Sequence, residues 1–131
     1  MKIDIHDFEI TAIVATGADA FDIRLIDPQG SGAYTMKFKN VKQLFVDGFS
    51  LQNIVLDISV FTQLREDFGF RRASGMLDLK PEAVESAISG GALILIEASS
   101  GAEVACLLDS AMLPQLVRDG SGVALDYSHR Q

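Results

Sequence analysis

Three groups of residues in this sequence are of types that can do chemistry. Asp4, His6 and Asp7 bring two carboxylates and an imidazole close together, and on a strand Asp4 and His6 would share a face. Two aligned donors fall short of the three or four that a zinc site needs, and the other histidine, His129, lies at the far end of the chain. The trio therefore reads as a solvated strand end, and neither a metal nor a cofactor is expected. Glu97 and Glu103 flank a turn and can oppose each other as acid and base groups do. Like charges opposed across strands are destabilising, so either they diverge or a cation such as Arg71 or Arg72 lies between them. Whether they form a site stays open. Cys106 sits among Val104, Ala105, Leu107 and Leu108, where burial raises a thiol's pKa and leaves it inert.

Three strings resemble motifs without their context. Asp67-Phe68-Gly69 spells the metal-binding triplet of protein kinases, but the glycine-rich nucleotide loop and the catalytic-loop motif are missing. Phe68-Gly69-Phe70-Arg71-Arg72 has the look of a base-stacking strand of RNA-recognition domains. Glu66-Asp67 stands where the cation should precede it, and those carboxylates repel phosphate. Gly30-Ser31-Gly32 lacks the third glycine of a dinucleotide loop and leads into a strand, so it is read as a hairpin turn. No catalytic, cofactor-binding or metal-binding residue is assigned, and the chain is expected not to be an enzyme.

The charge balance points the same way. A net charge of -7 over 131 residues disfavours sequence-independent nucleic-acid binding, which rests on cations displacing condensed counterions. Only Lys37, Lys39, Lys42, Arg71 and Arg72 could form a local basic patch. An acidic surface instead attracts basic partners. The longest apolar run, Ala92 to Ile96, is far below the ~20 residues of a membrane span. The early acidic residues Asp4, Asp7 and Glu9 oppose a secretory signal. With one cysteine and no disulfide to form, a cytoplasmic location away from membranes is expected.

The elements that would position these residues are mostly strands. Alternation with period 2 puts Phe8, Ile10, Ala12 and Val14 on one face of a first strand, Phe21, Ile23 and Leu25 on a second, and Tyr34, Met36 and Phe38 on a third. Gly17-Ala18-Asp19 and Asp27-Pro28-Gln29-Gly30 supply the turns of an antiparallel meander. A fourth strand is expected over Val41 to Val46. The stretch 53–61 fits either a strand or a helical stripe, and its β-branched content tips it to a strand. Glu66 to Gly75, rich in charge, Gly and Ser, reads as a loop. Pro81 to Ser89 reads as a helix, with proline in the first turn and Gly90-Gly91 at the end. Leu93 to Ala98 and Glu103 to Leu108 are apolar on both faces and should be central strands. From Val117 the chain reads as a loosely ordered tail, with an edge strand over Val123 to Tyr127 as the alternative. The expected fold is one mainly β (α+β) domain over 1–131, an antiparallel β-sandwich or strongly bent sheet with one short helix near 81–89.

Residues Phe38 to Leu44, Gly48 to Ile58 and Glu97 to Ala102 resemble a group of small bacterial β-rich proteins, some of them similar to immunity partners of polymorphic toxins. The resemblance implies a small β-rich fold and a protein-interaction role, and it carries no catalytic residue. Most of the phenylalanines should be core; if Phe49, Phe68 and Phe70 sit on loops instead, they form with Arg71 and Arg72 the candidate interface. Expected partners are another protein or a second copy, since exposed sheet edges favour pairing across a two-fold axis. A small-molecule pocket between the sheet and the 81–89 helix is the alternative function.

Overall fold

The computed structural model describes residues 2–131. Its strands are β1 (Glu9–Gly17), β2 (Ala20–Ile26), β3 (Ala33–Phe38), β4 (Val41–Asp47), β5 (Ile54–Phe61), β6 (Ala92–Ser100), β7 (Glu103–Leu108), β8 (Gln115–Arg118) and β9 (Ala124–Leu125), with helices α1 (Phe68–Met76) and α2 (Val84–Ile88) between β5 and β6. All the strands form one antiparallel sheet in the order β4-β7-β6-β5-β1-β2-β3-β8-β9. The fold is mainly β, as the alternation predicts, and 53–61 resolves to the strand β5.

The sheet bends where β5 meets β1, because those two strands share only the Glu9–Ile54 pairing. Both halves then close on one core. Phe21, Ile23, Leu25, Met36 and Phe38 enter it from one side, and Ile58, Ile94, Ile96, Val104 and Cys106 from the other. Phe21 and Phe38 stack within it at 4.3 Å. A second core lies on the outer face of β5, β6 and β7, where Leu93, Leu95, Ala105 and Leu107 meet Phe70, Ala73, Met76, Val84 and Ile88 of the helices. This accounts for the unbroken apolar runs: alternate residues of β6 and β7 supply two different cores.

Four expectations need correction. A register shift between Ile10 and Ala12 moves the core face of β1 from Ile10 to Ile13, so Ala12 and Val14 pair with Arg24 and Asp22 instead of sharing the face of Phe8; an extra residue at a β-bulge does this. Residues 66–75 are not a loop. Asp67 caps α1 by accepting from Phe70 N–H, and Phe70, Ala73 and Met76 give it a buried stripe. The 81–89 helix is shorter than expected, with a turn before Val84. The segment from 117 is tied down: β8 pairs with β3, Tyr127 is buried with its hydroxyl donating to Pro114 O at 2.7 Å, and Arg130 N–H donates to Ile58 O at 2.8 Å while Arg130 O accepts from Val60 N–H. Residue 3 bridges to Tyr127 and Ser59 to Arg130, so the two end segments fill the seam that opens beside β5.

At the other end of that seam stands Asn53, one of two buried polar residues in the core. Its Oδ1 accepts from Ser50 N–H at 2.8 Å and Ala102 N–H at 3.0 Å, and its Nδ2 donates to Ser50 O at 2.8 Å and Ile10 O at 3.4 Å. Its backbone carbonyl accepts from Ile10 N–H. One carboxamide thus joins β1, the 48–53 loop and the β6–β7 turn. Gly101 in that turn has φ +78, and a Cβ there would lie 2.4 Å from Asn53 Oδ1 and 2.5 Å from Gln52 O. Asn53→Ala strands buried backbone donors and should cost about 3 kcal/mol in urea unfolding. Gly101→Ala should cost at least as much, because it adds a backbone strain of about 1–3 kcal/mol to the clash.

Candidate functional site

Strand register gathers carboxylates that lie far apart in sequence. Asp47 pairs with Glu103 across β4 and β7, and Asp57 pairs with Glu97 across β5 and β6. The β6–β7 register that matches Ile96 with Val104 continues to set Glu97 opposite Glu103. Asp47, Glu103, Glu97 and Asp57 therefore form a row across β4, β7, β6 and β5. Two guanidiniums relieve the repulsion. Arg72 on α1 donates to Glu103 Oε1 at 2.6 and 3.2 Å and to Asp47 Oδ2 at 3.1 Å, and Arg130 pairs with Asp57. The expected cation beside Glu103 is present, but it bridges to Asp47. Among the described residues Glu97 has no ion-pair partner.

Beside this row the end segments make a shallow polar groove. Arg130 contributes to three adjoining hollows of about 460, 310 and 170 Å³, with Glu97, Asp57, Asp4 and His6 along them. His6 and His129, remote in sequence, line the same hollow. His6 Nδ1 donates to Leu56 O at 2.7 Å, and Asp4 accepts from His6 N–H. No group of three or more His, Cys, Asp or Glu among the described residues is arranged to hold a metal. Cys106 is fully buried, and burial pushes its thiol far above the usual range.

The candidate interface residues separate. Phe70 is buried edge-on against Phe61, with ring centroids 5.4 Å apart, so it belongs to the core; the helix that replaced the expected loop turns it inward. Arg72 is committed to its two carboxylates. Phe68 is exposed at the start of α1, and Phe49 is exposed in the loop after β4. Arg71 lies on the rim of a cleft of about 690 Å³ whose walls include Leu64, Phe70, Leu79, Pro81 and Val84. That cleft lies between α1 and the 79–84 segment, and no strand residue lines it, so it is distinct from a pocket between the sheet and the 81–89 helix.

Sequence reading missed the barest element. β4 is the last strand at its edge of the sheet. Val41 and Val46 pack against the inner core, but between them Leu44, on the face of Cys106, is 40% exposed, and Phe45, on the face of Ala105, is 46% exposed. The loop that follows exposes Phe49 and Leu51 as well. Sheet edges are ordinarily protected by charge or by a bulge. Here Lys42 and the register shift between Val41 and Gln43 protect only the start of the strand. The strand over Val41 to Val46 was legible in sequence, but the exposure of Leu44 and Phe45 on it was not.

The chain matches no family model, no curated protein and no solved structure. No helix among the described residues is long and apolar enough to cross a membrane.

Two measurements follow from this geometry. The Leu56 carbonyl, then Asp7, Asp4 and Asp57, favour the protonated imidazole of His6 and raise its pKa above the ordinary 6.5. A group raised on folding contributes stability that is fully present below its unfolded value and is lost as pH rises through the folded one. An NMR titration should place His6 above 6.5, and Asp7→Asn should bring it down. Arg72→Met should destabilise the protein by only about 1 kcal/mol, because the ion pairs are partly exposed. A Glu103→Gln partner substitution should recover part of that loss in a double-mutant cycle.

Proposed function

We propose that this chain is a non-enzymatic protein-interaction domain that receives an extended strand of a basic partner along β4. The observation that carries the reading is the free edge of β4, where Leu44 and Phe45 are exposed on opposite faces and no strand lies beyond it among the described residues. Strand addition uses this arrangement: main-chain hydrogen bonds supply affinity, and alternate side chains supply specificity. Leu44 and Phe45 would contact side chains above and below an added strand, with Phe49 beside them in the following loop.

Charge selects the partner. The row Asp47, Glu103, Glu97, Asp57 reaches the edge at Asp47 itself, so a lysine or arginine on the incoming strand opposite Asp47 extends the alternation of carboxylate and guanidinium. A net charge of -7 speeds encounter with a basic protein. The same charge opposes pairing of two copies, which is the other way to cover the edge. An immunity-type role, implied by the resemblance noted above, is the form of this reading in which the basic partner is a toxin, in the cytoplasm of a bacterial cell.

Leu44→Lys and Phe45→Lys alter exposed side chains and should leave the melting temperature within about a degree or two of wild type, since surface changes are within about 0.5 kcal/mol. Affinity for a partner identified by cross-linking from Phe45 should fall about thirtyfold or more in either variant, as for an interface hot spot. Amides of 41–47 should gain hydrogen-exchange protection in the complex. A partner whose affinity is indifferent to both substitutions would refute the edge as the docking element. Light scattering that shows a dimer disrupted by Leu44→Lys would replace the basic partner with a second copy.

A further inference from the structure

We infer that the cleft between α1 and the 79–84 segment is a binding site for a small amphipathic carboxylate, independent of the β4 edge. Its volume of about 690 Å³ falls among pockets that hold small ligands, about 300–1,000 Å³. Phe70, Leu79, Pro81 and Val84 offer an apolar wall, and Leu64 at the mouth is 47% exposed.

The last turn of α1 borders this space. Ser74 and Gly75 of that turn line the cleft, and the missing side chain of the glycine leaves that wall open. Nothing in the fold demands the glycine. A Cβ on Gly75 would meet no heavy atom within 4 Å, and its φ is not in the left-handed region. Ser74 spends its hydroxyl on Phe70 O at 2.9 Å.

The rim selects the head group. Arg71 has no carboxylate partner among the described residues, and one of its nitrogens donates to the Glu66 carbonyl at 2.5 Å. That bond anchors the guanidinium at the mouth and leaves its remaining N–H groups free for a ligand. Arg65, also on the rim, pairs with Asp67 at 3.5 Å. The Glu66 carboxylate borders the same opening and opposes a doubly charged phosphate more than a singly charged carboxylate. An apolar body on Phe70, Leu79 and Val84 with one carboxylate on Arg71 satisfies both constraints.

Decanoate is the probe, with 1-decanol and acetate as its uncharged and chainless counterparts. Calorimetry should show saturable binding of one decanoate, and acetate should show none. Arg71→Gln should weaken decanoate about tenfold, the worth of a charge-assisted hydrogen bond, and should leave 1-decanol unaffected. Gly75→Leu should abolish binding while keeping or raising the melting temperature, because the new side chain fills the cleft and favours the helix. Gly75→Ala should be stabilised and still bind. Chemical-shift mapping of the wild-type protein should place decanoate at Ser74, Leu79 and Val84, a readout that stands even if Gly75→Leu fails to fold. Absence of saturable binding, perturbations elsewhere on the molecule, or equal affinity for 1-decanol and decanoate would overturn the assignment.

Discussion

The buried carboxamide of Asn53 is the constraint on which the arrangement of this protein depends. A sheet that bends over its own core must change neighbours at the bend, and β5 leaves β1 after a single pairing. Backbone groups at that fork would otherwise be buried without partners, a cost of roughly 1–3 kcal/mol each. Asn53 satisfies donors and acceptors from three segments at once. Only a side chain carrying both an acceptor oxygen and an N–H₂ donor can do so. The close approach of Gly101 follows from the same requirement, since the β6–β7 turn must come within hydrogen-bond reach of the amide.

From that fixed fork the rest of the surface chemistry follows by register. With β5, β6, β7 and β4 set side by side, residues separated by half the chain become neighbours, and the four carboxylates fall into line. Arg72 reaches them because α1 lies over the outer face of β6 and β7, and Arg130 because the last residues run beside β5. The cores are placed by the same strands. β6 and β7 serve both, and β4 lies at the margin of the helical cover, which leaves Leu44 and Phe45 exposed on its two faces.

Much of this fold was legible from residue order, and the limits have physical causes. β2 and β3 read plainly because one face is buried and the other wet, which is the condition that produces clean alternation. β6 and β7 read as central because they are apolar on both sides. α1 was missed because Arg71, Arg72, Ser74 and Gly75 look like loop residues, although Asp67 as a cap and the spacing of Phe70, Ala73 and Met76 were the signal of a helix. The bulge after Ile10 was not legible, since an inserted residue is defined only by its partner strand. Of the candidate interface, Phe49 is exposed in a loop and Phe68 at the start of α1, whereas Phe70 is turned inward by the helix. The carboxylate row depends on pairings such as Asp47 with Glu103, which no local pattern encodes. The bareness of β4 depends on what fails to cover it, and that too is a property of the whole fold.

The lone thiol gains a meaning from its address. Cys106 lies directly across from Leu44, one strand in from the free margin, and it is wholly screened from water. Held there by the core on its inner side, the sulfur is kept protonated by burial and closed to reagents for as long as the sheet is intact.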